Sequence, residues 1–496
     1  MAAAAAGTGP HIAHGAPGTD PNLGLMATPV RSLLRREPVT LPSKATILDA
    51  ARLMRDQRVS SVLVLDGDRL VGILTDRDLR NRVLAAGLDP QRPVADIHTA
   101  DPLTVDVSTT AFDAMLLMAR MKLNHVPVLD GSRVVGMVTS TDVAERHSTS
   151  AVVLAIEIYR QNDVEGLQRV VTKVRDLQCN LAAADATAQA TGRVITAITD
   201  AVTIRLLQMA EAQLGPPPVP YAWVAAGSQA RREQTARSDQ DNCMVLSDDF
   251  DAERHGKYFE ALSRTVCDGL DACGYVHCPG EMMAMTDRWR QPLARWKQYF
   301  HHWTQAPEPM ALMLTCVFFD LRCVHGEATL LDTLRRETLM RTKANGIFLA
   351  HMANNALKRR PPLSVFGRIS SARSGEHRGT IDIKHLAIAP IVDLARIHAL
   401  AGGLEAVSTD ERLAMAGGKG NEMSDQGARD LREALEFLAA LRIRHQARQI
   451  AAGQEPDSYL RPDALSNFER AQLKDAFKVI ADMQDALGQR YQVGRF

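Results

Sequence analysis

Residues 221–246 read YAWVAAGSQARREQTARSDQDNCMVL, and this stretch decides how the second half of the chain folds. Tyr221 to Ala226 is an apolar strand that ends in Gly227-Ser228; a polar helical turn follows; Asp239 and Asp241 then open a second apolar strand, Cys243 to Leu246. Side chains two apart on a strand point the same way, so Asp239 and Asp241 set two carboxylates on one face. Like charges held together raise each other's pKa and destabilise the fold unless a cation sits between them. Mg²⁺ is the natural cation, because it takes one or two carboxylates and completes its shell with substrate phosphates and water. Gly227 lets a phosphate approach the backbone, Ser228 offers a hydroxyl, and the amides opening the next helix supply an anion site. Arg231 and Arg237 are placed to neutralise a triphosphate.

Downstream, LMLTCVFFDLRCVHG (312–326) reads as a central, buried strand interrupted by Asp320. Buried without a partner, that carboxylate would cost several kcal/mol. Adjacent Arg322 neutralises it on one reading; on the other it is a third metal carboxylate. Beside the Asp239/Asp241 pair the metal reading is the stronger.

On the N-terminal side the segment 148–215 turns helical, as Val194, Ile198, Val202 and Leu206 show by their spacing, and Gly215-Pro216-Pro217-Pro218 closes it. It reads as a helical linker. Before it lies a repeat: residues 38–78 align without a gap on 102–142, at an offset of 64. Asp49-Ala50 with Leu53-Met54 returns as Asp113-Ala114 with Leu117-Met118, the spacing of an apolar helix face. Asp66-Gly67 and Asp130-Gly131 each mark a tight hairpin. Each unit therefore reads strand, helix, strand, hairpin, strand, helix. Residues 1–27, rich in Ala, Gly and Pro, read as a disordered tail whose His11 and His14 are solvated. Residues 336–496 read as mainly helical, with Leu431, Leu435, Leu438 and Leu441 on one face. Asp382 and Lys384 either line a nucleotide cleft or form a buried ion pair.

Lys+Arg and Asp+Glu both total 58, so no net positive charge draws the chain to nucleic acid or anionic lipid. Cys179, Cys243, Cys267, Cys273, Cys278, Cys316 and Cys323 read as thiols in the reducing cytoplasm rather than a disulfide framework. Of these, Cys267, Cys273 and Cys278 lie near His277, but their spacing fits no standard zinc site, and they read as packed thiols. No run approaches a membrane-spanning length, and no signal peptide opens the chain.

The repeat, with Gly72-Ile73-Leu74-Thr75 and Asp78 echoed by Gly136-Met137-Val138-Thr139 and Asp142, resembles a tandem pair of cystathionine-β-synthase (CBS) domains over residues 28–147. The resemblance implies an adenine nucleotide between the repeats, with Thr75, Asp78, Thr139 and Asp142 on its ribose, and a homodimer through the pair. Thr followed by Asp also caps helices, and the two roles are compatible. The Gly-Ser, Asp-x-Asp and later Asp pattern resembles the DNA-polymerase-β-like nucleotidyltransferase superfamily. Gly227-Ser228-Gln229-Ala230-Arg231, Glu233-Gln234, Cys278-Pro279-Gly280, Trp289, Trp296 and Phe366-Gly367-Arg368-Ile369 resemble the protein-PII uridylyltransferase-like group within it. The fold expected is α/β and α+β multidomain: the CBS pair, the linker, a polymerase-β-like nucleotidyltransferase domain at 216–335 and a C-terminal helical domain.

The resemblance implies that two Mg²⁺ ions, held by Asp239, Asp241 and Asp320, serve transfer of a nucleoside monophosphate from an NTP to a hydroxyl of a protein or small molecule. The CBS pair would regulate that transfer. The alternative is a non-catalytic, nucleotide-sensing protein of signal transduction. None of the fifteen histidines is followed by Asp, so the hydrolytic dipeptide of the bifunctional PII enzyme is missing.

Overall fold

In each repeat a threonine starts the first helix. The amide of Asp49 donates to Thr46 Oγ1 at 3.0 Å while the Thr46 amide donates to the Asp49 carboxylate, and this reciprocal pair opens the helix Ile47–Gln57. Thr110 opens Ala111–Met121 through the amide of Asp113. The repeated Asp-Ala of the sequence is thus a capping signal. The structure, a computed structural model, describes residues 28–34, 36–139, 150–363, 369–372, 374–418 and 422–493; the tail at 1–27 lies outside them.

The first repeat forms strands β1 (Thr40–Pro42), β2 (Ser61–Asp66), β3 (Arg69–Thr75) and β4 (Thr99–Ala100) in the order β1-β2-β3-β4. In the second, β5 (Val105–Asp106), β6 (His125–Asp130) and β7 (Arg133–Thr139) lie in the order β5-β6-β7. Both hairpins close as read: Asp66 faces Arg69 and Asp130 faces Arg133, with Gly67 and Gly131 at φ of 61° and 62°. β4 is an addition that the repeat did not announce. Leu63, Ile73 and Val134 join the two sheets, and Ser60 bonds to His125 at 2.9 Å.

The segment read as a linker does more than span a gap. Its helices Ser150–Arg160, Val164–Val171, Lys173–Ala183 and Ala188–Leu214 share one apolar core with the second repeat and with the following sheet. Val194, Ile198, Val202 and Leu206 are all buried, and the long helix stops at Gly215 before the prolines. Gly269 of helix Ala252–Ala272 has no room for a Cβ, which would lie 2.7 Å from Leu206.

That sheet has the order β10-β9-β8-β11, formed by β8 (Tyr221–Ala226), β9 (Asn242–Leu246), β10 (Arg290–Pro292) and β11 (Leu321–Gly326). Alternation along β8 and β9 divides two cores. Tyr221, Trp223, Met244 and Leu246 face the helices that precede the sheet, whereas Ala222, Val224, Cys243 and Val245 face the C-terminal helices. Residues 312–326 correct the expectation of one continuous strand. Pro309 starts a helix, Pro309–Phe318, and β11 begins only at Leu321. Periodicity alone cannot separate a buried helix from a buried strand in such an apolar run.

The C-terminal part is helical, as expected: Ala328–Lys343, Gly346–Ala356, Ala389–Gly402, Thr409–Ala416, Asp425–Ala451 and Asn467–Arg490. Leu431, Leu438 and Leu441 are buried, while Leu435 is half-buried and faces a cleft. The stretch Lys384–Gly402 is long and apolar enough by length and composition to cross a membrane, which corrects the expectation that no run approaches that length; 72% of its most apolar window is buried inside the protein.

His398 lies in that stretch, 5% exposed. Burial, with the charge of Arg490, pushes its imidazole down to about 4. A depressed folded pKa contributes stability that is present above the unfolded value near 6.5 and lost as pH falls toward 4. Urea unfolding of wild type should therefore weaken across that window by roughly 3 kcal/mol more than in His398→Leu. Parallel profiles for the two proteins would remove His398 as the cause.

Candidate active site

At the end of β8 the chain turns through Gly227, whose φ is 57°. A side chain there meets two obstacles, because a Cβ would also lie 2.9 Å from Asp241 Oδ2. The Ala226 amide donates to the Asp241 carbonyl at 2.9 Å, which fixes the turn beside the approach to β9.

That approach alternates. Gln240 and Asn242 are buried: Gln240 Nε2 donates to the carbonyls of Cys267 and Tyr275 at 3.0 and 2.9 Å, and Asn242 Oδ1 accepts from the Ala284 amide at 2.8 Å. The period of two then turns Asp239 and Asp241 to the opposite side, where both line a cleft of about 340 Å³. Burial first, and the charge of Asp239 second, raise the Asp241 carboxyl to about 6, against a hydrogen bond from Cys278 and the charges of Lys384 and Arg231. The cysteines near His277 have their own tasks: Cys278 bonds to Asp241 and Cys267 to Asn242.

Asp320 is placed differently from the expectation. Its carboxylate is fully buried; Oδ1 accepts from Arg396 Nε (3.0 Å) and Arg412 Nη1 (2.5 Å), and Oδ2 from Arg231 Nη1 (2.7 Å) and Arg396 Nη2 (2.6 Å). All four acceptor positions are occupied, which leaves none for a metal ion. Burial alone would raise its pKa, but Arg396, Arg412 and Arg231 hold it far below the usual carboxylate range. Arg322, the neighbour read as its alternative partner, pairs instead with Asp200 at 2.9 Å. Among the described residues no group of three or more His, Cys, Asp and Glu could hold a metal. The three-carboxylate centre is therefore reduced to a pair.

Of the expected phosphate ligands, Gly227 and Ser228 line the cleft. Arg231 lines it too, but its guanidinium is committed to Glu233 at 2.8 Å and to Asp320. Arg237 lies away from it, donating to the Pro456 carbonyl at 3.1 Å. Two cations that the sequence left open or missed take their place. Asp382 pairs with His385 at 2.7 Å, and Lys384 faces the cleft and the Asp241 charge. Arg442, its Nε bonded to Ser458 at 2.9 Å, forms no ion pair among the described residues; burial lowers it to about 10 against the charges of Asp382 and Asp239. Lys384 was one of the two cleft candidates that the sequence left open; Arg442, in the middle of a long helix, carried no signal.

In the CBS pair, Thr75 Oγ1 donates to Asp78 at 2.7 Å in a capping box, and Asp78 also pairs with Arg82 at 3.3 Å. Thr46 with Asp49 and Thr110 with Asp113 have the same spacing and the same role, so the spacing alone marks a helix start. Thr139 lines a cleft of about 330 Å³ between the repeats, together with Pro38, Val59, Ser60 and His125. Thr75 and Asp78 sit outside that cleft, and Asp142 lies outside the described residues.

Two substitutions should act in opposite directions on the metal-free protein. Asp320→Asn strips the charge from a buried network and should destabilise by about 3–5 kcal/mol. Asp241→Asn removes a desolvated carboxylate and should raise the melting temperature at about pH 7.5. The gain should shrink at about pH 5, because a carboxyl raised from 3.8 to about 6 loses stability as pH rises through that interval. A lower melting temperature for Asp241→Asn would contradict the geometry.

Comparison with known proteins agrees with this layout. Residues 30–85 and 94–148 match the model of the CBS domain, 172–310 that described as "Putative nucleotidyltransferase DUF294", and 346–491 that described as "Putative nucleotidyltransferase substrate binding domain". The CBS domain-containing protein YhcV of Bacillus subtilis (strain 168) is 31% identical over 115 residues, 23% of this chain and 82% of its own. The CBS domain-containing protein CBSCBSPB3 of Arabidopsis thaliana is 34% identical over 114 residues, 23% of this chain, which spans only 20% of that relative. A solved structure, the CBS domain protein PAE2072 from Pyrobaculum aerophilum complexed with AMP, is 28% identical over 26% of this chain and 97% of that one, with a TM-score of 0.23. The chain belongs to the CBS-domain family, and its tandem CBS pair is followed by segments that match the two DUF294 models.

Proposed function

We propose that the chain is a CBS-regulated transferase that moves a nucleoside monophosphate from an NTP to a hydroxyl of a protein or small molecule, in the manner of the protein-PII uridylyltransferase-like group. The observation that carries it is the Asp239/Asp241 pair, set beside Gly227 in a cleft whose other wall bears Lys384 and Arg442. The elevated Asp241 carboxyl, raised by burial and by Asp239, fits a divalent cation between the two. Mg²⁺ held there supplies charge neutralisation to a triphosphate. Asp320 has no free oxygen, so the second ion of the sequence reading has lost its expected ligand.

The chain's own groups do the rest. Lys384 and Arg442 bind phosphate oxygens, and the turn at Gly227, which carries no side chain, lets them come close. Met313, Val317, Ile388 and Val392 give the cleft an apolar wall against which a base can lie, shielded from water. An adenine nucleotide at the cleft by Thr139 acts as the regulator. The proposal includes a homodimer through the CBS pair and, from the seven free thiols, a cytoplasmic setting.

The commitment of Asp320 favours a second reading, nucleotide sensing without turnover. Incubation with each labelled NTP, Mg²⁺ and cell lysate separates the two: a labelled acceptor supports transfer, whereas Mg²⁺-dependent NTP binding with no labelled product supports sensing. Lys384→Ala should weaken NTP binding about tenfold or more, the worth of one charge-assisted hydrogen bond, and Arg237→Ala should leave it unchanged. Equal losses in both variants would place the triphosphate elsewhere.

A further inference from the structure

The second CBS repeat meets the transferase half across a cavity of about 280 Å³ that the proposed reaction does not use. Its walls are helix Ala111–Met121 of the repeat, the long helix Ala188–Leu214, and the sheet side of the transferase domain. Each contributes guanidinium groups: Arg120, Arg193, and Arg232 with Arg322.

The two carboxylates in the cavity are already engaged. Asp113 accepts from the Thr110 hydroxyl at 2.8 Å; Asp200 pairs with Arg322 at 2.9 Å and accepts from Gln229 at 2.9 Å. Among the described residues Arg193 pairs only with Glu411, at 3.5 Å, with both groups partly exposed. Arg120 and Arg232 form no ion pair among the described residues. Four guanidinium groups against two carboxylates leave a concave, positively charged space. Phe112, Leu116, Tyr159 and Ile204 add apolar wall. A phosphate suits such a site, because the guanidinium fork binds it with paired hydrogen bonds, and clefts between domains are where small ligands settle.

We propose that this interdomain cavity is an effector site for a phosphorylated small molecule of about mononucleotide size, held by Arg120, Arg193 and Arg232. It is distinct from the cleft between the repeats and from the transferase cleft, and it does not depend on turnover. Arg193 and Arg232 also line the transferase cleft, whereas Arg120 does not. An anion that draws those two arginines toward the CBS side thereby changes the positive charge presented to the transferase cleft, which gives the site its means of control.

Photolabelling of the full chain with 8-azidoadenosine 5′-monophosphate, followed by peptide mapping, tests it. Label is expected within 111–121 or 196–204, which line the interdomain cavity and not the transferase cleft, displaced by AMP and by pyrophosphate. Arg120→Ala should weaken that labelling about tenfold, and Lys384→Ala should leave it unchanged. The proposal is overturned by label confined to 36–63, 125–139 or the transferase cleft, or by label at 111–121 that ignores both Arg120→Ala and Arg120→Glu. Absence of label overturns it as well if calorimetry with AMP and pyrophosphate shows no heat that depends on Arg120.

Discussion

The buried Asp320 carboxylate holds the second half of the chain together. It lies where the sheet ends and the C-terminal helices begin, and it gathers Arg231 from the turn after β8, Arg396 from helix Ala389–Gly402 and Arg412 from helix Thr409–Ala416. Three cations around one anion would be an expensive arrangement in a dry interior, but Arg231 also pairs with Glu233 and Arg396 with Asp393 at 2.6 Å. Three carboxylates thus meet three guanidinium groups. Backbone groups close the network, with the Thr409 amide on Glu233 and Arg412 on the carbonyls of Ala406 and Phe319. A network satisfied at each of these points is specific in direction, which apolar packing is not.

Its effect is to fix the cleft. The same helices that reach Asp320 carry Arg396 and, through the strand pair Ile381–Asp382 and Tyr459–Leu460, place Lys384 and Arg442 across from Asp239 and Asp241. The carboxylate pair comes from the sheet and the cations come from the helices, so neither side makes a site alone. Arg231 stands at the boundary: it lines the cleft yet belongs to the network, and a phosphate that claimed it would have to take it from Asp320.

These facts mark how far the sequence could be read. The repeat, both hairpins and the turn of Asp239 and Asp241 to one side were legible because each depends on residues within a few positions: a capping threonine, a glycine at positive φ, a buried Gln240 and Asn242 alternating with the acids. Asp320 was misread because its partners lie far along the chain, at Arg231, Arg396 and Arg412, and because a wholly apolar flank hides whether helix or strand surrounds it. Arg237 failed for a related reason. Closeness in sequence to the acidic pair did not place it near them in space, since its guanidinium turns to Pro456.

The same limit applies to the segment read as a linker. Hydrophobic spacing found the helix Ala188–Leu214, but not that Gly192 brings it against the chain just beyond the Gly227–Arg231 turn, where a Cβ would lie 2.9 Å from the Arg232 carbonyl. Helix Ser150–Arg160 packs in the same core, beside the second CBS repeat. Close-packed interiors transmit displacement rather than absorb it. A shift of the repeat relative to this helix must therefore either be taken up in the open interdomain cavity or pass to Arg232 and the Gly227–Arg231 turn. Coupling between the second CBS repeat and the cleft then needs no distant relay: both pack against these helices, and the void beside them sets how much movement is lost.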